Sequence, residues 1–335
     1  MVRALSFAGP AVAQTRGESK VRKALALGEP YSALRRCDHE LGKDDAPAVF
    51  HALRADAHNR IGNSTAALAD ANAALAAMPT DAYAWLQRGI ARSVLGPQDS
   101  AIADLERARD IAADPRLVTE TLVQLALAHQ RAQQPERALA ALVPPEGKAH
   151  GNAQDPRVFR IKGECEAMLG DTAAARADLD KAIELAPRDP VNWNSRGYHR
   201  YARSGEHERA LLDYDRAIKL NPNYGYAFNN RGWSRYKLGR KEQALKDITL
   251  ARRKNPHNAY ALRNLGLIAL DDGRTEAACR YFYEALAEGF TNQHGNEVQE
   301  LMNAHCKEMH QAPGIERPVP AINAPGNAPP RTNAP

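Results

Sequence analysis

No stretch of this 335-residue chain approaches the roughly 20 consecutive apolar residues a helix needs to cross a bilayer, which excludes a helical integral membrane protein. Cysteine is scarce. Four in so long a chain, none in a CxxC pair, exclude a disulfide scaffold and the usual zinc-ribbon spacings. Phosphate-loop, dinucleotide-glycine, HExxH and GxSxG signatures are all missing. The expectation is therefore a non-enzyme with no cofactor and no metal. What is present is an ordinary globular composition, 44% hydrophobic and 25% charged, with a formal net charge of +5. That charge is unevenly spread, because residues 190–258 hold 15 Lys and Arg against six Asp and Glu.

The two ends read differently from the middle. Residues 1–13 begin with Arg3, continue apolar and reach small residues at Ala11 and Ala13, the pattern of a secretory signal remnant; a frayed N-terminus is the alternative. Export to a periplasmic or extracellular setting is favoured over the cytoplasm. Residues 312–335 are dominated by Pro, Ala and Asn and bury too little to offset ordering entropy, so a disordered tail is expected.

Laid on itself, the middle repeats. Glycines stand seven apart at Gly89 and Gly96, Gly163 and Gly170, Gly232 and Gly239, and Gly266 and Gly273. An alanine follows each second glycine by five, at Ala101, Ala175, Ala244 and Ala278, and another small residue comes seven later at Ala108, Ala182, Ala251 and Ala285. Prolines close several units at Pro79, Pro187, Pro222 and Pro256, the last three separated by 35 and 34. A period near 34 means helical hairpins in series. Small residues let paired helices approach, and each hairpin leaves an apolar face that only a neighbour can cover.

At Trp85-Leu-Gln-Arg-Gly89, Phe228-Asn-Asn-Arg-Gly232 and Leu262-Arg-Asn-Leu-Gly266 the chain resembles the tetratricopeptide repeat (TPR) family. The resemblance implies an all-α fold, a right-handed α-solenoid of about eight TPR-like helical hairpins with a C-terminal capping helix. Units are expected at about 14–47, 48–81, 82–115, 119–152, 156–189, 190–224, 225–258 and 259–292. The first and fourth are degenerate; Gln133 stands where the fourth needs its turn glycine. The domains are thus 14–152 and 156–292, with a break near Val143–Gly151 and a cap over 293–311 carrying Val298, Leu301, Met302 and Cys306 on one face.

Comparing units with one another exposes a second pattern. Five carry a basic residue at the seventh place and an aspartate sixteen or seventeen later: Arg54 with Asp70, Arg88 with Asp104, Lys162 with Asp178, Arg196 with Asp213, Arg231 with Asp247. Units four and eight lose both together, to Leu125 with Ala141 and Leu265 with Tyr281. Structural ion pairs between the two helices of each hairpin are expected, half buried. Cys37, Cys165 and Cys279 fall inside helices as small core residues. Cys306 and His310 share a helix face, but two ligands do not make a metal site, and Cys306 reads as a buried thiol.

By the resemblance, the second, fifth, sixth, ninth and twelfth places face a binding groove. In units six to eight these are Asn194, Ser195, Tyr198 and Tyr201, then Tyr226, Asn229, Asn230, Trp233 and Tyr236, then Tyr260, Arg263 and Asn264. Fourteen of the 20 aromatic residues lie between 190 and 290, concentrating contact area in this half. The lysine, asparagine and arginine clamp of carboxylate-gripping co-chaperones is not reproduced here. Asn230 and Asn264 are more similar to the asparagine ladder of the O-linked N-acetylglucosamine transferase superhelix. Unit six is one residue long, Gly197 to Gly205 being eight, and a bulge there would turn Tyr198 and Tyr201 off their faces.

The expected function is a non-catalytic protein–protein interaction scaffold in a bacterial cell or its envelope, holding a protein or peptide in the groove of repeats six to eight. Arg200, Arg203, Arg235, Lys237, Arg240, Lys241, Arg252, Arg253 and Lys254 would favour an acidic partner. Nucleic acid is the second reading, RNA held by arginines interleaved with aromatics, ranked lower because those arginines overlap the ion-pair ladder. An enzyme or enzyme subunit of unrecognised type comes third.

Overall fold

A computed structural model describes residues 15–96, 98–148, 154–290 and 295–306. The expectations for 1–13 and 312–335, and His310, lie outside these residues. The described residues are all helix, turn and loop, without a strand, and they form two compact units that divide between Ile161 and Lys162.

The first unit holds four antiparallel hairpins and the start of a ninth helix. They are α1 (Arg16–Ala26) with α2 (Pro30–Leu41), α3 (Val49–Arg60) with α4 (Ser64–Ala77), α5 (Ala82–Leu95) with α6 (Gln98–Ile111), and α7 (Pro115–Arg131) with α8 (Pro135–Ala141). Helix α9 (Pro156–Leu169) carries the division. The second unit continues with α10 (Thr172–Leu185) and α11 (Pro190–Arg196), which runs on through a π turn, Gly197–Tyr201, and a short 3₁₀ turn before the chain reverses at Gly205 (φ +78°) into α12 (His207–Leu220). Then come α13 (Gly225–Lys237) with α14 (Lys241–Lys254), α15 (Ala259–Asp271) with α16 (Thr275–Ala287), and the cap α17 (Glu297–His305). Within each unit consecutive helices pack on one another, so the class is an all-α solenoid of helical hairpins.

Local chemistry sets the helix ends. Side chains of Asp81, Asp114, Asp171, Asp189 and Asn258 accept from backbone N–H groups of the first turns of α5, α7, α10, α11 and α15. The repeated prolines lie two residues beyond the second helices. Proline forces the residue before it out of the helical region, and Met78, Ala186, Asn221 and Asn255 all have φ between −131° and −138° with positive ψ.

The paired glycines have different jobs. A Cβ on Gly232 would lie 2.6 Å from Ile248 and 3.0 Å from the Ala244 carbonyl oxygen, so the first glycine exists to let α13 and α14 touch. Gly239 makes the turn, with φ +76° and open space around it. In the fourth hairpin Gln133 takes that left-handed turn at φ 57°. The alanines of the repeat, including Ala101, Ala108, Ala244, Ala251, Ala278 and Ala285, are fully buried at the helix crossings.

The extra residue of unit six is absorbed as the π turn. An added residue inside a helix widens one turn to i→i+5 bonding rather than shifting the register of everything after it. Tyr201 is thereby drawn into the core with Ala210 and Tyr214, only 7% exposed, which corrects its placement on the groove. Arg196, Arg200 and Arg209 surround its ring with guanidinium carbons at 5.9, 4.7 and 4.7 Å.

The cysteines bring a second correction. Cys279 of α16 and Cys306 after α17 are joined by a disulfide, so neither is a free core thiol, and Cys306 is no candidate metal ligand. Cys37 and Cys165 are buried and take part in no disulfide, and burial pushes the Cys37 thiol up to about 12. Val298 and Met302 of α17 are buried against Cys279, Phe282 and Phe290. The apolar face assigned to the cap is the face it buries.

Candidate functional site

The arginine ladder positions the first helices. Arg54 donates to Asp70 from Nε at 2.8 Å and Nη2 at 2.7 Å, Arg88 to Asp104 at 2.8 Å from both, and Arg231 to Asp247 at 2.8 and 2.7 Å. Arg196 does the same with Asp213, at 2.8 and 2.7 Å. All four aspartates are buried. The remaining Nη1 reaches sixteen residues back, to the second helix of the preceding hairpin: Asp38 for Arg54, Asn72 for Arg88, Asp180 for Arg196 and Asp215 for Arg231. Each guanidinium therefore ties three helices, a contact between repeats that comparison of the units had not suggested. Trp85, Trp193 and Phe228 lie under Arg88, Arg196 and Arg231 at 4.4, 5.0 and 5.3 Å. Trp85 and Trp193 also donate to the carbonyls of Pro79 and Pro187 at 2.8 and 2.9 Å.

Unit five departs from this pattern. Lys162 makes no hydrogen bond or ion pair with Asp178, correcting the fifth pair: an ammonium lacks the planar fork that meets two carboxylate oxygens at once. Asp178 instead faces Glu166, whose carboxyl is pushed up to about 7 by burial first and by Asp178 and Asp171 next. An acid with a raised folded pKa binds more protons folded than unfolded. Its contribution is therefore full below its ordinary 4.5 and is lost as pH climbs from there to about 7. The thermal midpoint is expected to fall across that window, and Glu166→Gln should flatten the profile; equal slopes in both proteins would refute the assignment.

The groove candidates are organised as a directed chain of amides. Arg263 Nη1 donates to Asn264 Oδ1 at 2.8 Å, and Asn264 Nδ2 to Asn229 Oδ1 at 3.0 Å. Asn229 Nδ2 donates to Asn230 Oδ1 at 3.3 Å, and Asn230 Nδ2 to Asn194 Oδ1 at 3.0 Å. The fifth place bonds the sixth of its own repeat, and the sixth bonds the fifth of the repeat before. Because arginine can only donate, it sets the sense of every amide after it. The chain ends on Asn194, whose Nδ2 hydrogens have no partner among the described residues. Asn229 and Asn264 are buried at 3% exposure each, correcting their assignment as ligand-facing rungs: their amides are spent joining repeats. Ser195 is buried too, donating to Glu164 at 2.6 Å.

Around this chain stand the aromatics. Tyr198 is 37% exposed, whereas Tyr226, Trp233, Tyr236 and Tyr260 are half-buried. Trp233 has Arg263 at 4.9 Å, Lys237 at 5.0 Å and the Tyr236 ring at 5.3 Å. Tyr260 meets Phe290 edge-on at 5.4 Å, and burial, with Tyr198 nearby, pushes its phenol up to about 12. Arg263 is further held by Glu297 of the cap, so α17 anchors the head of the chain.

Much of the positive charge of units six and seven is answered internally. Arg200 pairs with Asp180, Arg235 with Asp247, Arg240 with Glu208, Lys241 with Asp271 and Asp272, and Arg252 with Glu284, while Lys254 bonds Asn223. The acids come largely from neighbouring hairpins and so escape a count over 190–258.

Helical hairpins in series, joined by arginine and asparagine contacts at fixed places, define a helical-repeat protein. Two family models, described as "Tetratricopeptide repeat" and "TPR repeat", match residues 123–190 with 229–292 and residues 199–239 respectively. Over these residues the chain carries tetratricopeptide repeats. Among solved structures it is similar to the APC/C hetero-tetramer Cut9-Hcn1, at TM-score 0.61 and 15% identity over 87% of this chain, and spans 57% of that chain. It is also similar to a tetratricopeptide repeat protein from Parabacteroides merdae, at TM-score 0.56 and 18% identity, over 71% of this chain and 91% of that one. At these identities the likeness is one of fold. No curated protein matches the sequence.

Proposed function

We propose that this chain is a non-catalytic scaffold that holds a segment of a partner protein along the first helices of repeats six to eight, α11, α13 and α15. The supporting observation is the amide chain from Arg263 to Asn194. Each bond polarises the next, and the chain ends in an uncommitted N–H pair beside the exposed ring of Tyr198. Such an end donates to a peptide carbonyl or carboxylate while Tyr198 and Trp233 supply contact area. The pairing of the basic residues favours this polar, aromatic surface over electrostatic capture of RNA. The disulfide supports an oxidising compartment, in keeping with export.

The test is affinity capture with mass spectrometry, followed by titration of each captured partner. Asn194→Ala with Tyr198→Ala is expected to weaken binding by about tenfold or more with an unchanged dichroism spectrum. Full affinity for every partner in that variant would end the proposal.

A further inference from the structure

The ladder has one position where its charges are wrong. In the first hairpin the seventh place holds Lys20, and the place sixteen later, aspartate in the second and third hairpins, holds Arg36. Lysine and arginine thus stand where the next two hairpins put a bonded pair. Both line a cavity of about 660 Å³ between the start of α1 and the side of α2, together with Arg16, Arg35, Lys43 and Glu40. The one carboxylate is taken: Lys43 bonds Glu40 at 2.6 Å and holds it below its usual range, helped by Lys20. Arg16, Lys20, Arg35 and Arg36 have no hydrogen bond or ion pair among the described residues. That separates them from the arginines of units six and seven, most of which meet acids.

We propose that this cavity is an oxyanion site that takes a chain of closely spaced phosphate groups, with phosphate oxygens between Lys20 and Arg36 where the following hairpins place an aspartate. Arg16, Lys20, Arg35 and Arg36 are all exposed, so they need no partner to be solvated, but their like charge around one cavity raises the local potential and favours a ligand of high negative charge density. Two neighbouring guanidinium forks, Arg35 and Arg36, match phosphate oxygens bidentately. The size lies within the usual range for small-ligand pockets. Of the two rings in the lining, Phe50 is fully buried and offers no face for a nucleobase, and His39 is exposed beside the cations, so recognition rests chiefly on the phosphates. An inorganic oligophosphate and the phosphate tail of a nucleotide share this chemistry.

Calorimetry on the full chain with inorganic tripolyphosphate, and separately with ATP, at about 0.1 M salt tests the site. Saturable one-to-one binding is expected for tripolyphosphate. ATP binding equally well would place recognition in the phosphates, and a free oligophosphate is indicated if ATP binds more weakly. Arg36→Asp, which puts a carboxylate in place of one of the lining cations, should abolish binding while leaving the dichroism spectrum of the ligand-free protein unchanged. Arg35→Ala should weaken binding by about tenfold, as loss of a charge-assisted fork does. Arg252→Ala with Arg253→Ala, in the last turn of α14, should change nothing. No saturable heat with the wild-type chain, undiminished binding by Arg36→Asp, or tighter binding of hexaglutamate than of tripolyphosphate would each overturn the proposal.

Discussion

Replacing Arg196 with methionine is expected to cost about 3–5 kcal/mol, because it strands a buried carboxylate. Asp213 is 4% exposed, and Arg196 is its sole hydrogen-bonding and ion-pairing partner among the described residues. Burial by itself disfavours the guanidinium charge, yet the bonds to Asp213 and Asp180 outweigh it and hold Arg196 above its ordinary range. The same change at Arg88 or Arg231 should cost less. There Asp104 keeps Arg92 and Asp247 keeps Arg235, at 2.8 and 2.7 Å. Arg196→Met together with Asp213→Leu should recover much of the loss, since no charge is then left without a partner. Denaturant unfolding of the single and double variants measures all of this; equal costs at the three sites would contradict the account.

Removing the disulfide is the second large effect. The bridge closes a loop of 27 residues, for which the chain-entropy model gives about 3–4 kcal/mol. A helix of nine residues is too short to persist alone, so α17 depends on this staple and on Val298 and Met302. Cys279→Ser with Cys306→Ser is expected to fray α17, raise its amide exchange and free Arg263 from Glu297. Binding at the groove should weaken less than folding does, because Asn264 still receives Arg263. Unchanged exchange across 297–305 in the variant would mean that packing alone holds the cap.

How far the sequence carries can be read at particular residues. The hairpins, their closing prolines and the buried alanines follow from local rules: a proline excludes the helix before it, and a glycine with a clashing Cβ marks a helix crossing. Arg54, Arg88, Arg196 and Arg231 were visible because both partners lie in one repeat at a constant separation. The third bond of each arginine was not, since it joins different repeats and its acceptors, Asp38, Asn72, Asp180 and Asp215, vary. The asparagines were legible as a surface pattern, but two of them are interior.

The amino-acid order by itself determined the class of fold, because a period near 34 residues with small residues at two fixed places has few ways to bury its apolar faces. Tertiary structure alone decided which cysteines join, which tyrosine the π turn swallows and which asparagines face outward. Those outcomes depend on distances between residues far apart in the chain, and periodicity records only what recurs within a repeat.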